Sequence, residues 1–317
     1  MNYETFFNKQ IYKIIDKKIY DISFSNLNII QLKTVYNALN INNYCKNIDL
    51  RYNNINNLTL LHKALIKNNS LIFLNLFCNY IDDITLLSDI INVNSLQELC
   101  ISNNKITFIQ PICKVLETNT SLLSLDLSFN KIKDLPLLFK VLKINKSLQK
   151  LFLNNTNIND LTLLCNNLKY NNSLQILSLN NNNIIQLNPL CELLKINKSL
   201  QSISIGYNKI INLNKLGEVL LFNHTLKELY LNNNNIDKIL ILKYALITNK
   251  TILRVDLDYN DINNLNLMYN ILKNNKHLEY INLNHNKISK NDNEYMKKII
   301  KQINKNASIL DGLFFNK

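Results

Sequence analysis

The stretch LLSLDLSFNKIKDLPLLFKVLKINKS runs from Leu122 to Ser147 and has two parts. In the first part, residues 122–132, apolar and polar residues alternate, as they do in a short strand with one buried face. In the second part, residues 135–146, apolar residues return at the spacing of one helix face. The stretch therefore predicts a short strand that is followed by a short helix.

The same pattern recurs along most of the chain at a fixed interval. Its spacing is 26 residues nine times and 25 residues once, between Leu71 and Leu96. The octapeptide LKINKSLQ, at 142–149 and again at 194–201, marks two copies that lie two periods apart. A fixed period of this length indicates a repeat protein. We number the positions of each copy from its first apolar residue, which is Ile19, Cys45, Leu71, Leu96, Leu122, Leu148, Leu174, Leu200, Leu226, Ile252 or Leu278.

Two positions of the repeat are dominated by asparagine. An inward-pointing asparagine can satisfy backbone groups where the strand turns away, so position 9 predicts a buried ladder of side-chain amides. Position 9 holds Asn53, Asn79, Asn104, Asn130, Asn182, Asn208, Asn234, Asn260 and Asn286, with Leu27 and Thr156 as exceptions. Position 24 is asparagine in all ten complete copies, from Asn42 to Asn275. Asparagine tolerates the left-handed conformation that ends helices, so we expect that conformation at position 24.

The repeat resembles the leucine-rich repeat family, and within it the ribonuclease-inhibitor-like subclass, whose helices lie on the convex side. The resemblance covers residues 19–288, although the 26-residue copies are shorter than is usual in that subclass and lack its glycine before the helix. It implies an α/β fold, a leucine-rich-repeat solenoid or horseshoe. Eleven copies would give a parallel sheet of about eleven strands. The sheet should be concave, because strands stack more closely than helices do and therefore lie on the inner side of the curve.

The ends of such a stack need covers, which divides the chain into three predicted parts. Residues 1–18 suit an N-terminal capping helix with Phe6, Phe7, Ile11, Ile14 and Ile15 on one face. Residues 19–288 form the repeats, the last of them partial. Residues 289–317 form a C-terminal cap, in which 307–315 would close the last core layer.

Composition argues against several classes of function. Glycine occurs only at Gly206, Gly217 and Gly312, so no phosphate-binding glycine motif is possible. The four histidines are scattered, and the six cysteines have no zinc-ligand spacing. We therefore predict no catalytic residues, no cofactor and no metal, and hence no enzyme. No apolar run is long enough to span a bilayer and no signal peptide is evident, which predicts an intracellular, cytoplasmic protein.

The formal net charge is +13, yet arginine occurs only at Arg51 and Arg254. Nucleic-acid readers usually use arginine, and a lysine- and asparagine-rich chain also fits AT-rich coding. Positions 2, 3, 5, 7 and 8 of the eleven copies should face the concave side, where partners of this family usually bind. They hold eight acidic and five basic residues, so the concave face is about −3 and nucleic acid is unlikely to bind there. The lysine excess must then lie on the helices, connectors and caps.

Aromatic residues flanked by charges are typical of interface hot spots, and two groups of them are predicted on the concave face. The first group lies towards the C-terminus and comprises Tyr207, Tyr230, Arg254, Asp256, Asp258, Tyr259 and Tyr280. The second lies towards the N-terminus and comprises Arg51, Tyr52, Phe73 and Phe77.

The favoured function is a non-catalytic scaffold that binds a protein partner on its concave face. The resemblance also leaves open a regulatory or adaptor protein that acts on a small GTPase or in a ubiquitin-ligase system. A third reading is lysine-mediated binding to nucleic acid or to acidic surfaces. The sequence predicts no transmembrane segment and does not give an oligomeric state.

Overall fold

The computed structural model describes residues 3–16, 19–93, 95–263, 271 and 274–287. The chain forms two compact units, Met1–Thr156 and Asn157–Lys317. The first unit contains α1 (Tyr3–Ile15), β1 (Asp21–Ser23), α2 (Ile29–Ile41), β2 (Asn47–Asp49), α3 (Thr59–Leu65), β3 (Phe73–Asn75), α4 (Thr85–Val93), β4 (Glu98–Cys100), α5 (Gln110–Leu116), β5 (Ser124–Asp126), α6 (Leu135–Leu142) and β6 (Lys150–Phe152). The second contains α7 (Thr162–Leu168), β7 (Ile176–Ser178), α8 (Asn188–Leu194), β8 (Ser202–Ser204), α9 (Asn214–Leu220), β9 (Glu228–Tyr230), α10 (Leu240–Thr248), β10 (Arg254–Asp256) and β11 (Tyr280–Asn282).

Within each unit, every strand pairs in parallel with the strand of the next repeat. In the first unit this order runs from β1 to β6, and in the second from β7 to β11. The register joins equal repeat positions, so that Leu125 of β5 lies opposite Leu99 and Leu151. The described residues thus contain eleven parallel strands, and the predicted fold class is confirmed.

The apolar positions of the repeat form the core. In the copy that begins at Leu122, the strand residues Leu125 and Leu127 are fully buried. The predicted helix-face residues of the same copy, among them Leu135, Leu138 and Leu142, are buried as well. Strand and helix therefore share one apolar layer in each repeat, and the stacked layers make the core continuous within a unit.

Position 9 forms a buried hydrogen-bonded ladder. The Asn130 amide nitrogen lies 3.0 Å from the carbonyl oxygen of Ile101, 3.1 Å from that of Leu127 and 3.2 Å from that of Ser128. Its side-chain oxygen accepts the backbone N–H of Ile106 at 3.1 Å. One side chain thus satisfies backbone groups of its own repeat and of the preceding one, where the strand has ended and no sheet partner is available.

Most other copies repeat this arrangement, and the two copies without asparagine at position 9 carry Leu27 and Thr156. Asn208 donates to the carbonyl oxygens of Leu179, Ile205 and Gly206, and accepts from the N–H of Ile184. Thr156 replaces asparagine in its copy, and its hydroxyl donates to the carbonyl oxygen of Leu153 at 2.8 Å. A hydroxyl has one donor where the amide has two, so Thr156 is a partial substitute.

The left-handed conformation predicted at position 24 is wrong. Asn42 and Asn249 end their helices with φ of −94° and −69°, and no described position-24 residue has a positive φ. Asn145 shows the reason, because its amide nitrogen donates to the carbonyl oxygen of Leu116 at 2.8 Å and its oxygen accepts from the N–H groups of Ser147 and Leu148. The buried side chain itself caps the turn, so an extended backbone suffices. Asn94 lies outside the described residues.

The N-terminal helix α1 packs on the first repeat. Phe7, Ile11 and Ile14 are buried, and the Phe7 ring meets Phe24 edge to face with centroids 5.5 Å apart. Phe6 and Ile15, which were predicted on the same face, are exposed. The predicted C-terminal cap, residues 289–317, lies outside the described residues.

We predict that Asn130→Ala lowers the free energy of unfolding by about 3 kcal/mol, because it leaves several buried backbone groups without a partner. Urea unfolding followed by circular dichroism measures the change. Asn172→Ala, at an exposed asparagine, serves as the control and should shift stability by less than about 0.5 kcal/mol. Asn130→Thr should recover part of the loss, as Thr156 does in its own copy. Equal unfolding midpoints for Asn130→Ala and the control would show that the ladder is not stabilising.

Candidate functional site

In each unit, the described helices pack against one face of the strands, and we call the other face the open face. The burial of successive side chains along β10 shows which residues point to this face, since Val255 is buried, Arg254 is exposed and Asp256 is half-buried. Residues at positions 3, 5 and 7 therefore point to the open face. All predicted binding residues lie at these positions or at position 8, which follows them at the end of the strand.

Position 8 has a left-handed backbone in every copy, which sequence reasoning did not anticipate. The residues are Asn26, Tyr52, Cys78, Asn103, Phe129, Asn155, Asn181, Tyr207, Asn233, Tyr259 and His285, with φ between 50° and 58°. The backbone stays in the ladder, because the N–H of Tyr207 donates to the carbonyl oxygen of Asn232 at 2.9 Å. The signal in the sequence was the frequency of asparagine at position 8, the residue most tolerant of this conformation.

Aromatic residues at position 8 are an unusual choice. A bulky side chain with positive φ is a conformational outlier, yet Tyr207 has φ of 53° and Tyr259 has φ of 50°. Both rings remain open to solvent, since Tyr207 is 56% exposed and Tyr259 is 49% exposed. The fold therefore presents these two tyrosine rings, like those of Tyr52 and Phe129 in the first unit, to solvent at a conformational cost.

Strand pairing brings together the central residues of the C-terminal group. Tyr230 lies opposite Asp256, and Arg254 lies opposite Tyr280. The Tyr230 hydroxyl donates to Glu228 Oε2 at 3.2 Å. Burial, and then the charge of Glu228, raises the pKa of the Tyr230 phenol, so this group remains a donor. The Arg254 guanidinium forms an ion pair with Glu279, whose carboxylate lies 4.0 Å from Nε.

At the edge of this group, Tyr259 stacks on a histidine that the predicted site did not include. The rings of Tyr259 and His285 are 3.8 Å apart at an angle of 12°. His285 Nδ1 lies 2.9 Å from Asp258 Oδ1, so the carboxylate orients the imidazole. The two aromatic residues occupy position 8 in successive copies, and that spacing could have identified the pair.

Asp256 is the most perturbed carboxylate of the group. Burial raises its pKa, the N–H of Asp258 partly opposes this by donating to Oδ1 at 3.0 Å, and the nearby Asp258 charge raises it further. On the open face of the second unit, Glu228, Asp256, Asp258 and Glu279 stand with Lys227 and Arg254, giving a formal charge of −2. The surface is therefore acidic although the chain is basic.

The N-terminal group is only partly assembled. Arg51 forms an ion pair with Asp49, with Nε 2.8 Å from Oδ2, and the Tyr52 ring meets Phe77 edge to face at 5.3 Å. Phe73 lies half-buried in β3, in register with Asn47 and Glu98. Arg51 is thus committed to a neighbouring carboxylate, as Arg254 is to Glu279.

The described part of the chain contains no cluster of three or more histidine, cysteine or acidic side chains that could hold a metal ion. None of the helices in that part is long and apolar enough to cross a membrane. The six cysteines are unpaired, and burial raises the pKa of Cys113 and Cys165 to about 12. Such thiols stay protonated at neutral pH and are poor nucleophiles.

Comparison with known proteins agrees with this geometry. A family model described as Leucine Rich repeats (2 copies) matches residues 94–140. An internalin, InlF, of Listeria monocytogenes is 22% identical over 91% of this chain and 80% of its own, with a TM-score of 0.55. The protein folds as a leucine-rich-repeat solenoid. A chain of the mouse RP105/MD-1 complex is 18% identical, with a TM-score of 0.57. The match covers 86% of the present chain and 46% of that chain. No curated protein matches the solenoid significantly.

We predict that Asp256→Asn leaves the solenoid as stable as the wild type or more stable near neutral pH. The pKa of Asp256 is raised on folding, so the folded state holds the proton more tightly and ionisation of this group costs stability as the pH rises. Asparagine removes that cost and keeps the acceptor for the Asp258 N–H, as Asn282 does for Asn284. Urea midpoints should therefore differ most near neutral pH and converge below about pH 3. A variant that is equally destabilised at both pH values would contradict this account.

Proposed function

We propose that the protein is a non-catalytic scaffold that binds a protein partner on its open face, the concave side of the solenoid class. The C-terminal group, from Tyr207 to Tyr280, forms the centre of the proposed contact. One observation carries the proposal: Tyr207 and Tyr259 are half-exposed aromatic residues held in a left-handed backbone. Local strain of this kind, roughly 1–2 kcal/mol per residue, is typical of functional positions.

The surroundings of the two tyrosines fit a protein interface. Tyrosine and arginine are the residue types that contribute most to binding energy, and Arg254 lies on β10, between the strands that carry Tyr230 and Tyr280. The acidic charge of the surface favours a partner with a basic patch and opposes a nucleic acid. One of the similar structures, the RP105/MD-1 complex, contains two proteins, which suits a scaffold on this fold.

The proposal also assigns the repeats to the ribonuclease-inhibitor-like subclass. The helices that follow β1 and β2, with 13 and 7 residues, support this assignment because that subclass carries a helix in each repeat. An intracellular location is part of the same proposal.

The test replaces the two tyrosines and keeps the backbone. The double variant is Tyr207→Asn, Tyr259→Asn. Asparagine already occupies position 8 in two other repeats, as Asn181 and Asn233, with φ of 54° and 53°. Affinity purification of the full chain with quantitative mass spectrometry would identify partners, and titration calorimetry with each purified partner would give its affinity. We expect the double variant to bind the specific partner at least about tenfold more weakly, because two hot-spot rings are lost.

Phe129→Asn provides a matched control, since Phe129 also occupies position 8 with φ of 56° but lies in the first unit. It should leave the affinity unchanged. A partner that binds the double variant as tightly as the wild type would refute the C-terminal group as the binding site.

A further inference from the structure

The second residue after each of three helices in the second unit is large, apolar and exposed. Tyr170, Ile196 and Phe222 all occupy position 23, and they are 68%, 54% and 77% exposed. We call these three residues the connector ridge. They lie in the turns between a helix and the next strand, away from the open face. The first unit has Ile41, Val93 and Ile144 at the same position, all exposed.

The backbone presents these side chains in a fixed direction. The N–H of Ile196 donates to the carbonyl oxygen of Leu193 at 3.0 Å, and that of Phe222 donates to Val219 at 3.1 Å. The next residue of each turn is a buried asparagine, Asn197 or Asn223, whose amide bonds the preceding repeat. Each ridge residue is thus held between two anchored groups, and its exposed ring or methyl groups add little to the core.

The turns between helix and strand in the second unit have charges of one sign, and the three turns that carry the ridge hold Lys169, Lys195 and Lys198. The segments 168–173, 194–199, 220–225, 246–251 and 274–277 contain the five lysines Lys169, Lys195, Lys198, Lys250 and Lys276 and no aspartate or glutamate. Acidic residues lie in the adjoining helices: Glu192 in α8 is 3.0 Å from Lys195 and 3.6 Å from Lys215, and Glu218 in α9 lines a small pocket with Lys195 and Phe222. The ridge edge is therefore basic, whereas the open face of the same unit is acidic.

We propose that the connector ridge docks on an anionic phospholipid surface. Aromatic and aliphatic side chains insert into the interfacial region of a bilayer, and flanking lysines are attracted to anionic headgroups. Tyr170, Ile196 and Phe222 occupy the same position in successive repeats and are all more than half exposed, so they can enter a bilayer interface together. The turns themselves carry lysines and no acidic residue, and charge of one sign complements a uniformly anionic surface better than a protein surface of mixed charge. This docking is independent of partner binding on the open face.

The experiment measures cosedimentation of the full chain with phosphatidylcholine vesicles, with and without phosphatidylserine. The wild type should sediment with phosphatidylserine vesicles at low salt, and added salt should weaken the binding. The ridge variant Tyr170→Ser, Ile196→Ser, Phe222→Ser removes the apolar side chains. The charge variant Lys195→Gln, Lys198→Gln, Lys250→Gln removes three lysines. Each should lower the partition coefficient at least about tenfold.

Two controls separate docking from general adsorption. Ile185→Ser, Ile211→Ser changes isoleucines that are 53% and 55% exposed but lie before α8 and α9, at the opposite edge, and it should bind as the wild type does. The variant Tyr207→Asn, Tyr259→Asn on the open face should also keep vesicle binding, so that this proposal and the proposed function fail separately. Thermal melts check folding, and the single change Phe222→Ser replaces the triple variant if the latter does not fold.

Three results would overturn the proposal. The wild type would fail to sediment with phosphatidylserine vesicles, or the opposite-edge control would lose as much binding as the ridge variant. The third result is that polyglutamate binds with the same dependence on the ridge residues whereas the vesicles do not bind. The ridge would then be a site for an acidic polypeptide.

Discussion

The structure depends on buried side-chain amides that replace missing backbone partners. A repeat with three-residue strands leaves many peptide groups beyond the ends of its ladder, and an unpaired buried peptide group costs about 1–3 kcal/mol. Asn130 at position 9 satisfies the end of the strand, and Asn145 at position 24 satisfies the turn after the helix. Both reach backward to the preceding repeat. Each copy is therefore completed by its neighbour, which is why such a repeat is stable only in an array.

The same amides determine what the surface can present. The asparagine at position 9 is buried under the end of the strand. The residue before it, at position 8, has the left-handed conformation, and the side chain of that position-8 residue lies at the edge of the open face. Five copies place asparagine there, which fits the conformation at little cost, whereas Tyr207 and Tyr259 fit it poorly. At the other edge, Asn197 and Asn223 hold the turns that expose Ile196 and Phe222. Two surfaces of opposite charge are thus built from positions adjacent to the structural asparagines.

Periodicity made much of the fold predictable. Alternation in residues 122–132 predicted β5, and the helical spacing after Leu135 predicted α6, although α6 ends at Leu142 and not at Asn145, the position-24 residue where it was predicted to end. The helix is shorter because the Asn145 side chain forms hydrogen bonds with the backbone of the turn and of the preceding repeat. Helix-propensity scales do not include such side-chain hydrogen bonds. The conformation at position 24 was mispredicted for the same reason. A side-chain hydrogen bond to another repeat is a tertiary contact, and local rules for helix ends do not contain it.

The candidate site was predicted less completely than the fold. Arg254, Asp256 and Tyr280 could be placed together because the register follows from the period. The stacking of His285 on Tyr259, the pairing of Arg51 with Asp49 and the perturbed carboxylate of Asp256 could not. These features depend on side-chain rotamers and on local burial, which repeat spacing leaves open.

By itself, the sequence determined the repeat length, the order of strand and helix, the buried faces and the columns of asparagine. These properties follow from hydrophobic periodicity, which acts over a few residues and is repeated in every copy. Only the tertiary structure decided the backbone conformation at position 8, the partners of each charged side chain and the exposure of the residues at position 23. Those properties arise where one repeat meets the next, and their physical cause is the hydrogen bonding and packing between copies.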